Sequence, residues 1–218
     1  FGDGGLLIHS GRFHACPGAC DDVDEAAWRI RVSPPDGAHV IVHGEVRPAA
    51  DFVEDGDGTN VYVGKSTPVD TDEVVAVVDQ TFPQAARDGL TTLFPRLMDY
   101  YRGELGALER KPMLFASRDA NYPEGGYGFQ GGALPDQVFM HLYGRNDAFD
   151  HADFGRRMDW FFAHEAAHLY QRPRPLANAG DTWIHEGGAD AMAALALRDL
   201  GLLSAAALAT QLDDNVDA

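Results

Sequence analysis

The sequence predicts an α+β fold in two parts: a small N-terminal β domain over residues 1–80 and a helix-bearing domain over residues 81–218. Three observations predict it. Up to about residue 80, apolar and β-branched residues alternate in short runs separated by turn residues. From Pro83 the apolar spacing switches to the helical period. Two long helical segments then follow one another across a proline-rich break. A chain of 218 residues is long enough for a real core, and its 45% hydrophobic and 10% aromatic content excludes wholesale disorder.

In the first part, residues 27–32 (AWRIRV), 39–46 (HVIVHGEV) and 60–65 (NVYVGK) read as strands, with Pro34-Pro35-Asp36-Gly37 as a turn. Residues 73–78 (EVVAVV) read as a further strand. The acidic stretch from Glu54 to Asn60 superficially suggests a calcium loop. Counted from Asp55, however, its sixth position is Asn60 where Gly is required, and its twelfth is Ser66 where Glu is required. A solvated hairpin loop is the better reading.

In the second part, Leu90, Leu93, Phe94, Leu97, Tyr100, Tyr101 and Leu105 keep helical spacing up to Gly106. Pro95 interrupts them, which predicts a kink or two helices. Residues 113–116 (MLFA) and 137–143 (QVFMHLY) read as strands, and the glycine-rich stretch 122–135 between them as a flexible loop. That stretch contains a literal GxGxxG at Gly126, Gly128 and Gly131. A dinucleotide site needs this motif to open a helix, whereas here it leads through Pro135 into another strand, which disfavours nucleotide binding. Helices are expected over about 153–171, ended by Arg172-Pro173-Arg174-Pro175, and over about 182–200, with Asp181 as N-cap and Gly201 as the stop. A third is expected after Ser204.

Charge narrows the function classes. There are 34 acidic against 17 basic residues, a net charge of −17, and no basic run to neutralise phosphates. Nucleic acid and anionic membranes are poor partners. The longest uncharged stretch is about 13 residues, short of the ~18 a membrane helix needs. The chain begins at Phe1 without a basic-then-apolar leader, which reads as processing or trimming. Its two cysteines, Cys16 and Cys20, flank a Pro-Gly turn that favours a small disulfide loop. A zinc site with His14 and two free thiols are the alternatives. The disulfide reading and the missing Met point to an extracytoplasmic or secreted location.

The first long helix carries His164-Glu165-Ala166-Ala167-His168, an HExxH. At about 100° per residue its two histidines lie about 40° apart, one turn along the same face, so both imidazoles reach one metal ion. Glu165 beside them is placed to reach a water there as a general base. Chance yields roughly 0.015 such matches in a chain of this length and composition. The second helix carries Trp183-Ile184-His185-Glu186-Gly187-Gly188-Ala189-Asp190, with Glu186 18 positions after His168. Folded back across the break, Glu186 completes a His₂Glu set with an open position, the arrangement of a catalytic zinc. Asp190, one turn further on, is placed to accept the free N–H of a ligating histidine. Gly187 and Gly188 are costly inside a helix and fit a close approach of two helices. Singly, His164 and His168 would pass as core residues beside Met158, Phe161 and Phe162, and Glu186 and Asp190 as a solvated face. Together they point to a metal. His141, His151 and His185 read as ordinary residues outside any ligand set.

HEAAH followed by WIHEGGAD resembles the gluzincin metallopeptidases, which include thermolysin and the aminopeptidases of alanyl and glycyl type. The W-x-x-E-G-x-A-D form is closest to the aminopeptidase branch, and the resemblance covers roughly residues 90–200. It implies a thermolysin-like catalytic domain with two zinc-ligand helices, zinc on His164, His168 and Glu186, Glu165 as general base and Asp190 behind a ligand. It also implies that the strand around residues 131–143 is the edge that pairs with substrate backbone. Two positions depart from the family. Alanyl-type members hold the substrate amine with the Glu of Gly-Ala-Met-Glu-Asn, where this chain has Gly131-Gly132-Ala133-Leu134-Pro135-Asp136. The family's downstream Tyr or His proton donor has no counterpart in the 32 residues after Glu186. The expected function is zinc-dependent hydrolysis of a peptide or protein substrate, by a chain that reads as part of a larger, C-terminally incomplete gluzincin. A zinc-binding module without peptidase activity is the alternative, and the same chemistry on a non-peptide substrate is a third option.

Overall fold

The computed structural model describes residues 1–13, 28–54, 58–123, 125–171 and 182–216. The alternating runs of the first part form a four-stranded antiparallel sheet. Strands β1 (Leu6–His9), β3 (His39–Val42), β4 (Glu45–Arg47) and β6 (Asn60–Gly64) lie in the order β1-β6-β3-β4. Residues 39–46, expected as one strand, are two. His43 and Gly44 both take positive φ, 53° and 75°, and Val40–Val42 pair back against Glu45–Arg47. His-Gly is a weak turn signal, so the continuous alternation concealed a two-residue hairpin turn. Strands β2 (Trp28–Val32) and β5 (Ala50–Glu54) form a separate antiparallel ribbon. Cys16, Cys20, His14 and residues 55–57 of the acidic loop lie outside the described residues.

The second sheet has five strands: β7 (Val69–Asp70), β8 (Val75–Val78), β9 (Met113–Asp119), β10 (Tyr127–Leu134) and β11 (Gln137–Gly144), in the order β10-β11-β9-β8-β7. β8, β9 and β11 run parallel, and the edge strands β7 and β10 run antiparallel to their neighbours. The run 73–78 therefore contributes its strand to this sheet rather than to the first. Val75, Ala76 and Val77 are all buried, as a central parallel strand covered on both faces requires. Val75 and Val77 meet Ile41 and Tyr62 of the first sheet together with Met113 and Phe115. Ala76 faces the helices.

The glycine-rich stretch is no flexible loop. Residues 127–134 make an eight-residue antiparallel ladder with β11, closed by a turn in which Asp136 takes a φ of 63°. The glycines serve packing. A Cβ on Gly131 would lie 2.2 Å from the Phe139 carbonyl oxygen and 2.9 Å from Phe161 Cζ, so only glycine lets the strand lie this close beneath its neighbours.

Among the described residues, α1 (Gln84–Leu105) and α2 (Phe154–His168) lie on this sheet, α3 (Thr182–Asp199) packs on them, and α4 (Ala205–Val216) packs on α3. α1 is one helix through Pro95. Proline removes a backbone hydrogen bond, but Leu90, Leu93 and Phe94 before it and Leu97, Met98 and Tyr101 after it are buried in the same core. That shared burial keeps both halves in register. The Tyr101 hydroxyl donates to the Ala163 carbonyl at 3.0 Å, tying α1 to α2 one residue before His164. α2 ends at His168, three residues earlier than the spacing predicts. α2 and α3 pack through fully buried alanines, Ala163, Ala166 and Ala167 with Ala189, Ala193 and Ala196. Small residues let two backbones approach closely. Among the described residues no helix is long and apolar enough to cross a membrane.

Candidate metal centre

α2 turns His164 and His168 to one side of the helical layer, and α3 brings Glu186 to meet them. The three side chains place one nitrogen or oxygen each within 4.8 Å of one another. His164 Nε2 lies 3.0 Å from His168 Nε2 and 3.2 Å from Glu186 Oε2, and His168 Nε2 lies 3.4 Å from the same oxygen.

The outer nitrogens determine what the inner ones present. His164 Nδ1 lies 2.8 Å from Asp190 Oδ1, a carboxylate that only accepts. His168 Nδ1 lies 2.6 Å from Gln171 Oε1, whose orientation is fixed because Gln171 Nε2 donates to the His185 carbonyl at 2.9 Å. Each Nδ1 thus faces an acceptor that favours a proton there, and the two Nε2 atoms converge with the Glu186 carboxylate on one point. Burial holds the His168 pKa below its ordinary value against the Gln171 hydrogen bond. For Glu186, burial acts to raise the pKa, but its interactions with His168, His185 and His164 outweigh it, so the net shift is downward. Two imidazole Nε2 atoms with a carboxylate form a donor set for a borderline dication such as zinc; calcium or magnesium would call for more oxygens.

Glu165 reaches toward β10 from the same side of the helical layer. A Cβ on Gly132 would lie 3.9 Å from Glu165 Oε2. Burial and the Glu186 charge raise the Glu165 pKa, opposed by the His164 charge and a backbone hydrogen bond from Ala133. Glu165, His168 and Glu186 open onto a cleft of about 680 Å³, whose opposite wall is the end of β10 with its turn, Gly132 to Asp136. A smaller recess of about 320 Å³ lies on the other side of His164, between Phe129, Arg157, Trp160 and Phe161.

The structure thus brings together His164, His168, Glu186, Asp190 and Glu165. It also recruits Gln171, which the sequence did not single out, and His185, which it read as an ordinary residue and which stays outside the three-residue group while touching it. The His185 ring stacks on His168, with centroids 4.5 Å apart and planes 14° from parallel, and its Nδ1 lies 3.5 Å from Glu186 Oε1. Gln171 links His168 to α3. A signal for both was present in their places beside the candidate ligands, one position before Glu186 and three after His168. His141 sits elsewhere, its Nδ1 2.8 Å from Ser117 Oγ on the sheet, and His151 packs edge-on near Tyr127, 5.1 Å between centroids. Asp181, expected to cap α3, lies outside the described residues.

No family model matches the chain, and no curated protein does. Among solved structures it is similar to an aminopeptidase N family protein from Idiomarina loihiensis, with a TM-score of 0.64 and 12% sequence identity. The match covers 92% of this chain and 38% of that one. At this identity the likeness is one of fold, and this chain spans well under half the length of that protein.

Proposed function

We propose that this chain carries the centre of a zinc-dependent metallopeptidase, built as a thermolysin-like catalytic domain with His164 and His168 on one ligand helix and Glu186 on the next. The observation that carries the reading is the convergence of two Nε2 lone pairs and a carboxylate, with Asp190 and Gln171 holding the protons on the far nitrogens. Donor atoms within 3.4 Å of one another, each backed by an orienting partner, suit a small cation between them. Bound by these residues, zinc supplies a Lewis acid for a carbonyl oxygen and acidifies water to a pKa near 7.

The protein's own residues do the rest. Glu165 faces the cleft with a raised pKa, so it both accepts the proton of an attacking water and returns it to the leaving amine. β10 is an edge strand, and its Gly132 to Leu134 line the cleft beside Glu165. An extended peptide fits there by adding a strand to the sheet. Such a substrate would lay its carbonyl between Glu165 and the ligand cluster.

The test is metal analysis and peptide-library hydrolysis on the wild type and Glu165→Gln. Zinc should copurify with both. Glu165→Gln should lose at least about 10²-fold in turnover, the ordinary contribution of a general base. Full activity in Glu165→Gln would sink its role as the base. Bound zinc with no cleavage of any peptide would favour a binding module instead.

A further inference from the structure

One side chain outside the ligand set engages both ligand helices. Gln171 stands three residues after His168, just beyond the end of α2. Its Oε1 faces His168 Nδ1 at 2.6 Å, and its Nε2 donates to the His185 backbone carbonyl at 2.9 Å, in the first turn of α3. Only the amide nitrogen donates to a carbonyl, so the oxygen is left to accept from the imidazole. α3 makes room for this group. A Cβ on Gly188 would lie 3.0 Å from Gln171 Nε2, whereas a Cβ on Gly187 would meet nothing within 4 Å. Spacing alone assigned both glycines to a close approach of helices. The geometry gives that role to Gly188, and what approaches is the Gln171 amide.

We propose that Gln171 is a positioning residue for the zinc centre, an inference that rests on the metal-centre reading above. Its amide holds His168 in the Nδ1–H form with Nε2 aimed at the cluster. The same amide ties that ring to the turn of α3 that carries Glu186. One group thus sets both the orientation of the second histidine and its distance from the third ligand. Asp190, one turn beyond Glu186 on α3, holds His164 from the other side of the cluster. Without the amide, His168 is free to rotate about its side-chain bonds or to move its proton to Nε2, and each change removes a donor.

The test measures zinc affinity by competition with a chelator of known strength, on the wild type, Gln171→Leu, Gly188→Ala and the double variant. Gln171→Leu keeps much of the volume and removes both hydrogen bonds. It should weaken zinc binding about 10- to 100-fold while leaving the far-ultraviolet circular dichroism unchanged. Gly188→Ala favours the helix and should fold at least as well as the wild type. By crowding the amide it should weaken zinc binding several-fold, and it should add nothing in the Gln171→Leu background, because both changes act on the same contact. Cobalt substitution gives a spectroscopic readout, with ligand-field bands altered in Gln171→Leu and in Gly188→Ala. Wild-type zinc affinity in Gln171→Leu overturns the clamp and leaves the centre standing. A wild type that binds no zinc overturns the centre and the clamp with it. Should Gln171→Leu fail to fold, undiminished affinity in Gly188→Ala overturns the clamp by itself.

Discussion

At the scale of single residues, each histidine has a partner that decides which nitrogen faces inward. For His164 that partner is Asp190, 2.8 Å from Nδ1. Asp190→Ala removes the acceptor and the charge behind the ring, and outer partners of this type are worth about 10- to 100-fold in metal affinity. The expected result is a fall of that size in a chelator competition, with His164 still present and the helix intact; unchanged affinity would show that His164 needs no orienting carboxylate. Asp190 was legible in the sequence because helical geometry places it one turn from Glu186, on the same face. His164, His168 and Glu165 were legible for the same reason, since all three sit on one helix and their relation is local. Gln171 and His185 were not. Their roles depend on how the chain returns after the proline-rich break, and a spacing rule within one helix says nothing about a contact between two. Gly188 shows the limit most clearly. The sequence marks it as costly, but only the 3.0 Å approach of the Gln171 amide separates it from Gly187.

At the scale of elements, periodicity worked where one face is buried and failed where both are or where the turn is unmarked. α2 and α3 were placed to within three residues at their ends. β8 was found but assigned to the wrong neighbours, because a strand buried on both faces carries no sign of which sheet owns it. β10 was missed because glycine has low strand propensity, and its strand character comes from the ladder with β11 and the space beneath Phe161. The β2–β5 ribbon was half legible, as β2 alternates and β5 does not stand out. It carries its own electrostatic signature. A hydrogen bond from Arg29 and a second from Arg31 hold the Asp51 carboxyl down at about 2, against 3.8 ordinarily. The folded value lies below the unfolded one, so the unfolded chain takes up the proton first on acidification. Whatever stability the pair contributes is therefore present above about pH 4 and lost as pH falls toward 2. All three side chains are exposed, so the contribution is small. Urea unfolding of wild type and Asp51→Asn should show a modest difference at pH 7 that closes by pH 2; a difference that grows on acidification would reverse the assignment.

At the scale of the whole molecule, the candidate ligands lie on two helices that the rest of the fold holds unequally. α2 is packed against α1, β10, β11 and α3, while α3 meets the remainder mainly through α2, α1 and α4. A cation bound by His164, His168 and Glu186 is thus a cross-link between a central helix and a more peripheral one. It binds the folded chain and finds no preformed site in the unfolded one, so it stabilises by about 2.7 kcal/mol at 100 times its Kd and about 4.1 at 1,000 times. For a chain of this size each kcal/mol moves Tm by about 2–4 °C. Chelation should therefore lower Tm by about 5–15 °C, using those two figures together. The loss should be local, with amide exchange quickening in α3 and the last turn of α2 while β9 and β11 stay protected. A net charge of −17 invites nonspecific screening by any dication, so charge alone must be separated from ligation. Calcium matches the charge but prefers oxygen ligands, and should restore little of the lost stability, whereas zinc restores all of it. In His164→Ala, zinc should restore no more than calcium does. Equal rescue by the two ions in the wild type would mean that the acidic surface, and not the cluster of two imidazoles and a carboxylate, is what the metal stabilises.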